Sequence, residues 1–188
     1  MTKASMFKSV VALVVVLVSV GVLLWQVPPQ TIVDYIGIEN TYLTVFLVAS
    51  FGGLSIFTSG VLYASLSSFA AGGASPWLLG LAGGVGIAIG DTIIFSLFKY
   101  GLRTVDHHKH PQLQRWRERL RAFPRWGQGL ALYLLIGLTP IPNDIVMGLL
   151  AFFGYSYRFV VPITLCAAIT IATLTALAGD VWLADLWS

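Results

Sequence analysis

The sequence predicts an all-α polytopic membrane protein. It is built as an inverted repeat, each half a re-entrant hairpin followed by a transmembrane helix, with an extra N-terminal transmembrane helix. Three observations predict this. Of 188 residues, 57% are hydrophobic and only 10% charged, with a mean hydropathy of +0.84, far too little charge for a soluble domain of this size. The apolar residues form long blocks separated by glycine, proline or charged links. The basic residues concentrate in one loop, so the net charge of +3 sets sidedness rather than contact with nucleic acid. Cys166 is the single cysteine, which excludes an intramolecular disulfide.

Residues 10–25 form an unbroken apolar run after Lys3 and Lys8, read as a transmembrane helix over 10–27 that Pro28-Pro29 ends. The bulky Leu23, Leu24 and Trp25 leave no small-residue cleavage site, so an uncleaved first helix is expected rather than a signal peptide. The link after it holds Asp34 and Glu39 without Lys or Arg. By the positive-inside rule it lies outside, with the N-terminus in the cytoplasm.

Residues 42–71 form the next apolar block, and residues 77–100 another, separated by the turn Gly72-Gly73-Ala74-Ser75-Pro76. The segment 102–126 follows, with Arg103, Lys109, Arg115, Arg117, Arg119, Arg121 and Arg125 against Asp106 and Glu118. The loop 101–126 is therefore cytoplasmic. If 77–100 crosses once, block 42–71 starts and ends outside. It is too short for two crossings of about 20 residues each. The economical solution is a re-entrant hairpin, with Gly52-Gly53 and Ser59-Gly60 as break points.

The block 129–153 repeats the problem from the other side. Pro140 and Pro142 cannot both continue a helix, and Asn143 and Asp144 add polar groups where hydrocarbon would otherwise be. Broken backbone and a carboxylate at membrane depth persist only inside protein or beside a water-filled cavity. Arg158 in the following link prefers the inside, so this block too is read as re-entrant, with 140–144 at its tip. Residues 159–179 then cross outward, and Asp180 and Asp185 keep the C-terminus outside. Two opposed hairpins of this kind are an arrangement used by secondary transporters. The alternative is a plain bundle of five or six helices.

Within this scheme Asp91 is the most informative residue. A carboxylate at the centre of a spanning helix costs about 3 kcal/mol on insertion scales. It should face a cavity, a cation or a hairpin, carry a proton, or brace hairpin backbone N–H groups. Asp144 could bind a cation, exchange protons or hold the turn. Asn143 could meet a head group or cap the second half-helix. With Thr139, Pro140, Pro142, Ser59 and Gly60, these residues form the expected substrate or ion path. Lys99, Arg103 and Arg158 are the cations placed to meet a head group at the inner rim, or to snorkel. Gly80, Gly84, Gly86 and Gly90, with Ala82, allow close helix approach and lack the Lys-Ser/Thr of a phosphate loop. His107, His108 and His110 lack a fourth ligand, so no metal or other cofactor is expected. Leu113, Trp116, Leu120 and Phe123 share one helix face, and Arg115, Arg117, Arg119 and Arg121 would hold that face on an anionic inner leaflet. No nucleophile–base pair supports an enzyme.

Two stretches resemble the DedA family, also called the VTT or SNARE-associated-domain family. GGVGIAIGDTIIFSLFKYGLR, residues 83–103, is similar to its glycine-rich helix ending in Gly-Asp, apolar residues, an aromatic and a glycine. LTPIPNDIVMGLLAFFGYSYRFVV, residues 138–161, is similar to its proline-containing second hairpin. Order and spacing agree over roughly residues 43–179. The resemblance implies two opposed re-entrant hairpins and lipid movement across the bilayer, of polyprenyl-phosphate carriers or phospholipids. It departs from the family at SIFTSGVLYASL, which has neither the acidic residue nor the proline many members carry. Gly137 and Asn143 stand where many members have arginines. The expected function is DedA-type lipid transport at the plasma membrane, with coupling to protons or ions open. The rivals are a small-solute or ion transporter and a non-transporting assembly protein. The expected partners are membrane lipids, with a homo-oligomer open.

Overall fold

The structure, a computed structural model, describes residues 29–52, 56–101, 123–139 and 143–182. The run read as a first transmembrane helix, 10–27, lies outside the described residues, as does the basic segment up to residue 122. Among the described residues every regular element is an α-helix. They are α1 (Pro29–Ile36), α2 (Ile38–Gly52), α3 (Ile56–Ala71), α4 (Pro76–Gly101), α5 (Arg125–Leu138), α6 (Asn143–Phe152) and α7 (Tyr157–Trp182). Two of them, α4 and α7, are long and apolar enough to cross a membrane. At 26 residues each, they span about 39 Å against a hydrocarbon core of about 30 Å.

The acidic link after Pro28 is itself helical. Pro29 opens α1, where a missing N–H costs nothing. Val33 is buried against α3, with Ile32 and Ile36 beside it, while Asp34 and Tyr35 face out. Gly37, at φ 85°, takes the left-handed conformation that lets the chain stop and restart as α2.

The α2–α3 pair returns to the end from which it started. The Ser75 amide, just past α3, donates a 3.0 Å hydrogen bond to the Tyr42 hydroxyl near the start of α2. Between them, the turn that closes α3 passes through Gly73 (φ 94°), with the Gly73 and Ala74 amides bonded back to Ala70 and Phe69. The α5–α6 pair returns in the same way. The Tyr155 hydroxyl, just past α6, donates a 2.9 Å bond to Gln128 Oε1 in the first turn of α5.

Helices α4 and α7 run antiparallel and closely packed. A Cβ at Gly80 would overlap Thr173, and one at Gly84 would overlap the Ile169 backbone. Further along, the Phe95 and Tyr157 rings meet edge to face at 5.0 Å. The small residues therefore set the interhelix distance, as their spacing predicts. The core divides into two clusters along this pair. One joins α1–α3 to the first half of α4 and the last part of α7, around Val45, Leu66, Leu79, Ala172 and Ala176. The other joins α5 and α6 to the second half of α4 and the start of α7, around Phe95, Ile136, Met147, Val160 and Ala167.

Candidate functional site

The two clusters abut on α4 between Ile87 and Ile94, and Asp91 lies between these residues. The register of the hairpins explains what else arrives there. Val45 packs on Gly83, and Ala49 on Gly86, so α2 runs parallel to α4. At equal rise per residue, its last residue, Gly52, comes level with Gly90. Helix α6 also runs parallel to α4, with Asn143 at Asp91 and Gly148 against Phe98. The end of α2 and the start of α6 thus converge on one level of α4. The connecting residues 53–55 and 140–142 lie outside the description.

Asp91 is 0% exposed. Its Oδ2 accepts a 3.1 Å hydrogen bond from Asn143 Nδ2, at the first residue of α6. Expectation gave this carboxylate a cavity, a cation or the other hairpin, with hairpin backbone N–H groups as the brace. The partner is a side-chain amide at the start of α6 rather than a backbone N–H, and the bond uses the Asn143 NH2 group, leaving its Oδ1 as an acceptor. Asp144, half-buried in the first turn of α6, and Tyr63 of α3 both lie within electrostatic reach of Asp91. A carboxylate at the first turn also complements the helix dipole. Helix α5 ends at Thr139, whose hydroxyl donates to the Leu135 carbonyl. Asp91, Asn143 and Asp144 are therefore brought together, with Thr139 at the end of the adjoining half-helix. Pro140 and Pro142 lie outside the description.

Ser59 and Gly60 require correction as a break point. Helix α3 runs through both without interruption, and the change of direction falls before Ile56. Gly60 is exposed, with open space where a Cβ would stand. A single glycine after a serine inside an apolar run does not interrupt a helix whose i→i+4 bonds are otherwise available.

Lys99 also differs from expectation. Its ammonium donates a 2.8 Å bond to the Tyr155 carbonyl and lies 4.5 Å from the Tyr157 ring centroid and 5.2 Å from that of Phe95. It clasps the end of α4 to the α6–α7 link instead of standing free at a rim. Arg158 is exposed. Arg103, Arg115, Arg117, Arg119 and Arg121 lie outside the description, as do His107, His108 and His110.

Sequence reasoning missed Tyr63, Thr164, Gln128 and Tyr155. Each is a hydroxyl or amide inside or beside an apolar run. The available signal is its polarity at that depth, which alone names no partner. Comparison of the chain with family models, with curated proteins and with solved structures returns no match.

Proposed function

We propose that the chain is an integral membrane transporter of the DedA type, moving a lipid head group across the bilayer while the tails stay in hydrocarbon. In this reading α2–α3 and α5–α6 are re-entrant hairpins entering from opposite faces. Helices α4 and α7 are the spanning helices, and residues 10–27 add a further crossing.

The observation that carries the reading is the Asn143–Asp91 hydrogen bond. It joins a carboxylate deep in a 26-residue apolar helix to the start of a broken one, at the level where α2 also ends. Such a polar junction inside apolar surroundings is costly without a use for it. Two further features support it. Each hairpin is tied back to its own starting end, through Tyr42–Ser75 and Gln128–Tyr155. The outer faces are apolar, with Leu78, Leu81, Ile93 and Leu97 of α4 and Leu174 of α7 exposed, as a lipid-facing surface requires.

The test is reconstitution into liposomes carrying a fluorescent phospholipid in both leaflets, with dithionite added outside. Quenching beyond the outer-leaflet half, reduced in Asp91→Asn and Asp144→Asn at matched protein levels, is the expected result. Quenching no greater than in protein-free liposomes, or undiminished in both variants, counts against a lipid path through this junction.

A further inference from the structure

Two buried oxygens have no hydrogen-bond partner among the described residues, Asp91 Oδ1 and Thr164 Oγ1. Their residues are 0% and 1% exposed. Bare buried acceptors are rare because each forfeits its hydration without replacement. A carboxylate oxygen is the most costly of them.

Four contacts bring these oxygens toward one place. The α4–α7 register, from Gly84 at Ile169 to Phe95 at Tyr157, sets Asp91 level with Val161 and Pro162, less than one turn from Thr164. Gly137 packs on Ala167, so the end of α5 sits one turn from Thr164 on the other side. Asn143 holds the start of α6 on Asp91. The last turn of α5 adds acceptors of its own. Residues four on from Ile136 and Leu138 are Pro140 and Pro142, so neither carbonyl has a helical N–H donor to receive.

The gathered groups are oxygens: a carboxylate oxygen, a hydroxyl, backbone carbonyls, and the second carboxylate of Asp144 within electrostatic reach. Among the described residues the nearby basic groups are directed elsewhere: Arg158, about one turn along α7, is exposed. Lys99, two turns along α4, is spent on Tyr155 and two rings. Among the described residues no three His, Cys, Asp or Glu side chains assemble, so this is not a transition-metal donor set. Hard oxygen donors around one or two carboxylates, at the C-terminal end of a broken helix, suit a small alkali cation.

We propose that the junction of α4, α5 and α7 binds a dehydrated monovalent cation of the sodium class through Asp91, Thr164 and the terminal carbonyls of α5. The site rests on the transporter reading only for its use, as the coupling ion; binding itself is independent of that reading.

The test measures thermal unfolding of the full chain in detergent, with NaCl replacing choline chloride at constant ionic strength. The expected result is a midpoint that rises saturably with sodium. Thr164→Val, which removes the hydroxyl at constant volume, raises the half-saturating sodium concentration by about tenfold, the worth of one good oxygen contact. Thr164→Ser, which keeps the hydroxyl, recovers most of that loss, and Asp180→Asn, at the exposed end of α7, leaves the half-saturating concentration unchanged. Identical melting curves for the wild type in NaCl and choline chloride overturn the site, as does a sodium response that Thr164→Val does not alter. Liposome quenching separates the two claims. Sodium stabilisation without lipid movement keeps the site and removes the lipid path. Lipid movement without any sodium response keeps the path and removes the site.

Discussion

Asn143, the first residue of α6, donates a 3.1 Å hydrogen bond to the buried Oδ2 of Asp91 on α4. Fifty-two positions separate them in the chain, and the whole of α5 lies between them. The bond holds the start of α6 beside the buried carboxylate.

Replacing either partner should have unequal effects. Asn143→Ala leaves a buried carboxylate oxygen without its donor and should destabilise by about 1–3 kcal/mol. Asp91→Asn keeps an acceptor for Asn143 and removes a buried charge, so its cost should be smaller, with a stability gain within range. Thermal melts of the two purified variants check the order. A costlier Asp91→Asn than Asn143→Ala contradicts it.

Glycines within the helices divide by what surrounds them. Gly84→Ala puts a Cβ into the Ile169 backbone and should cost about 1–3 kcal/mol through forced separation of α4 and α7. Gly60→Ala meets open space in the middle of a helix and should stabilise by about 0.5–1 kcal/mol. A hinge at Gly60 would reverse that second sign, so the same melt tests the continuous α3.

Lys99→Met removes the bond to the Tyr155 carbonyl and the charge over two rings. The expected loss is about 1–3 kcal/mol, from one charge-assisted hydrogen bond and a cation–π contact. Lys99→Arg should recover part of it. Protection of the α6–α7 link, measured by hydrogen exchange, should fall in Lys99→Met and stay unchanged at the Tyr42–Ser75 end.

Sidedness can be read with single cysteines in a Cys166→Ser background. Asp34→Cys and Asp180→Cys should react with an impermeant maleimide added to intact cells, and Arg158→Cys only after permeabilisation. All three positions are exposed in the fold. Labelling of Arg158→Cys from outside would remove the re-entrant reading of the second hairpin.

Much of the helical layout was legible from chain chemistry. Pro140 and Pro142 lack N–H donors, so the break after Leu138 follows from covalent structure alone. The glycines at 80 and 84 announce a close helix neighbour because only a missing Cβ permits that approach. The length and apolarity of α4 and α7 were legible for the same reason, since composition is local. The helical nature of 29–36 was less so, because its driving force is the burial of Val33 by a distant helix.

What the tertiary structure decided is which groups meet. Composition marked Asp91 and Asn143 as expensive, but nothing in either local sequence says that one serves the other. Their pairing depends on the depth at which α6 begins, which the packing of Gly148 on Phe98 and of Gly137 on Ala167 sets. Lys99 looked like a free cation until the α6–α7 link brought the Tyr155 carbonyl and the Tyr157 ring to it. Thr164 was one threonine among several in an apolar run until its burial left its oxygen bare. The sequence by itself determined where the chain must be helical and where it must break, because backbone donors and apolar content are properties of single residues. Partnership across hairpins is a property of distances, and only the packed helices fix those.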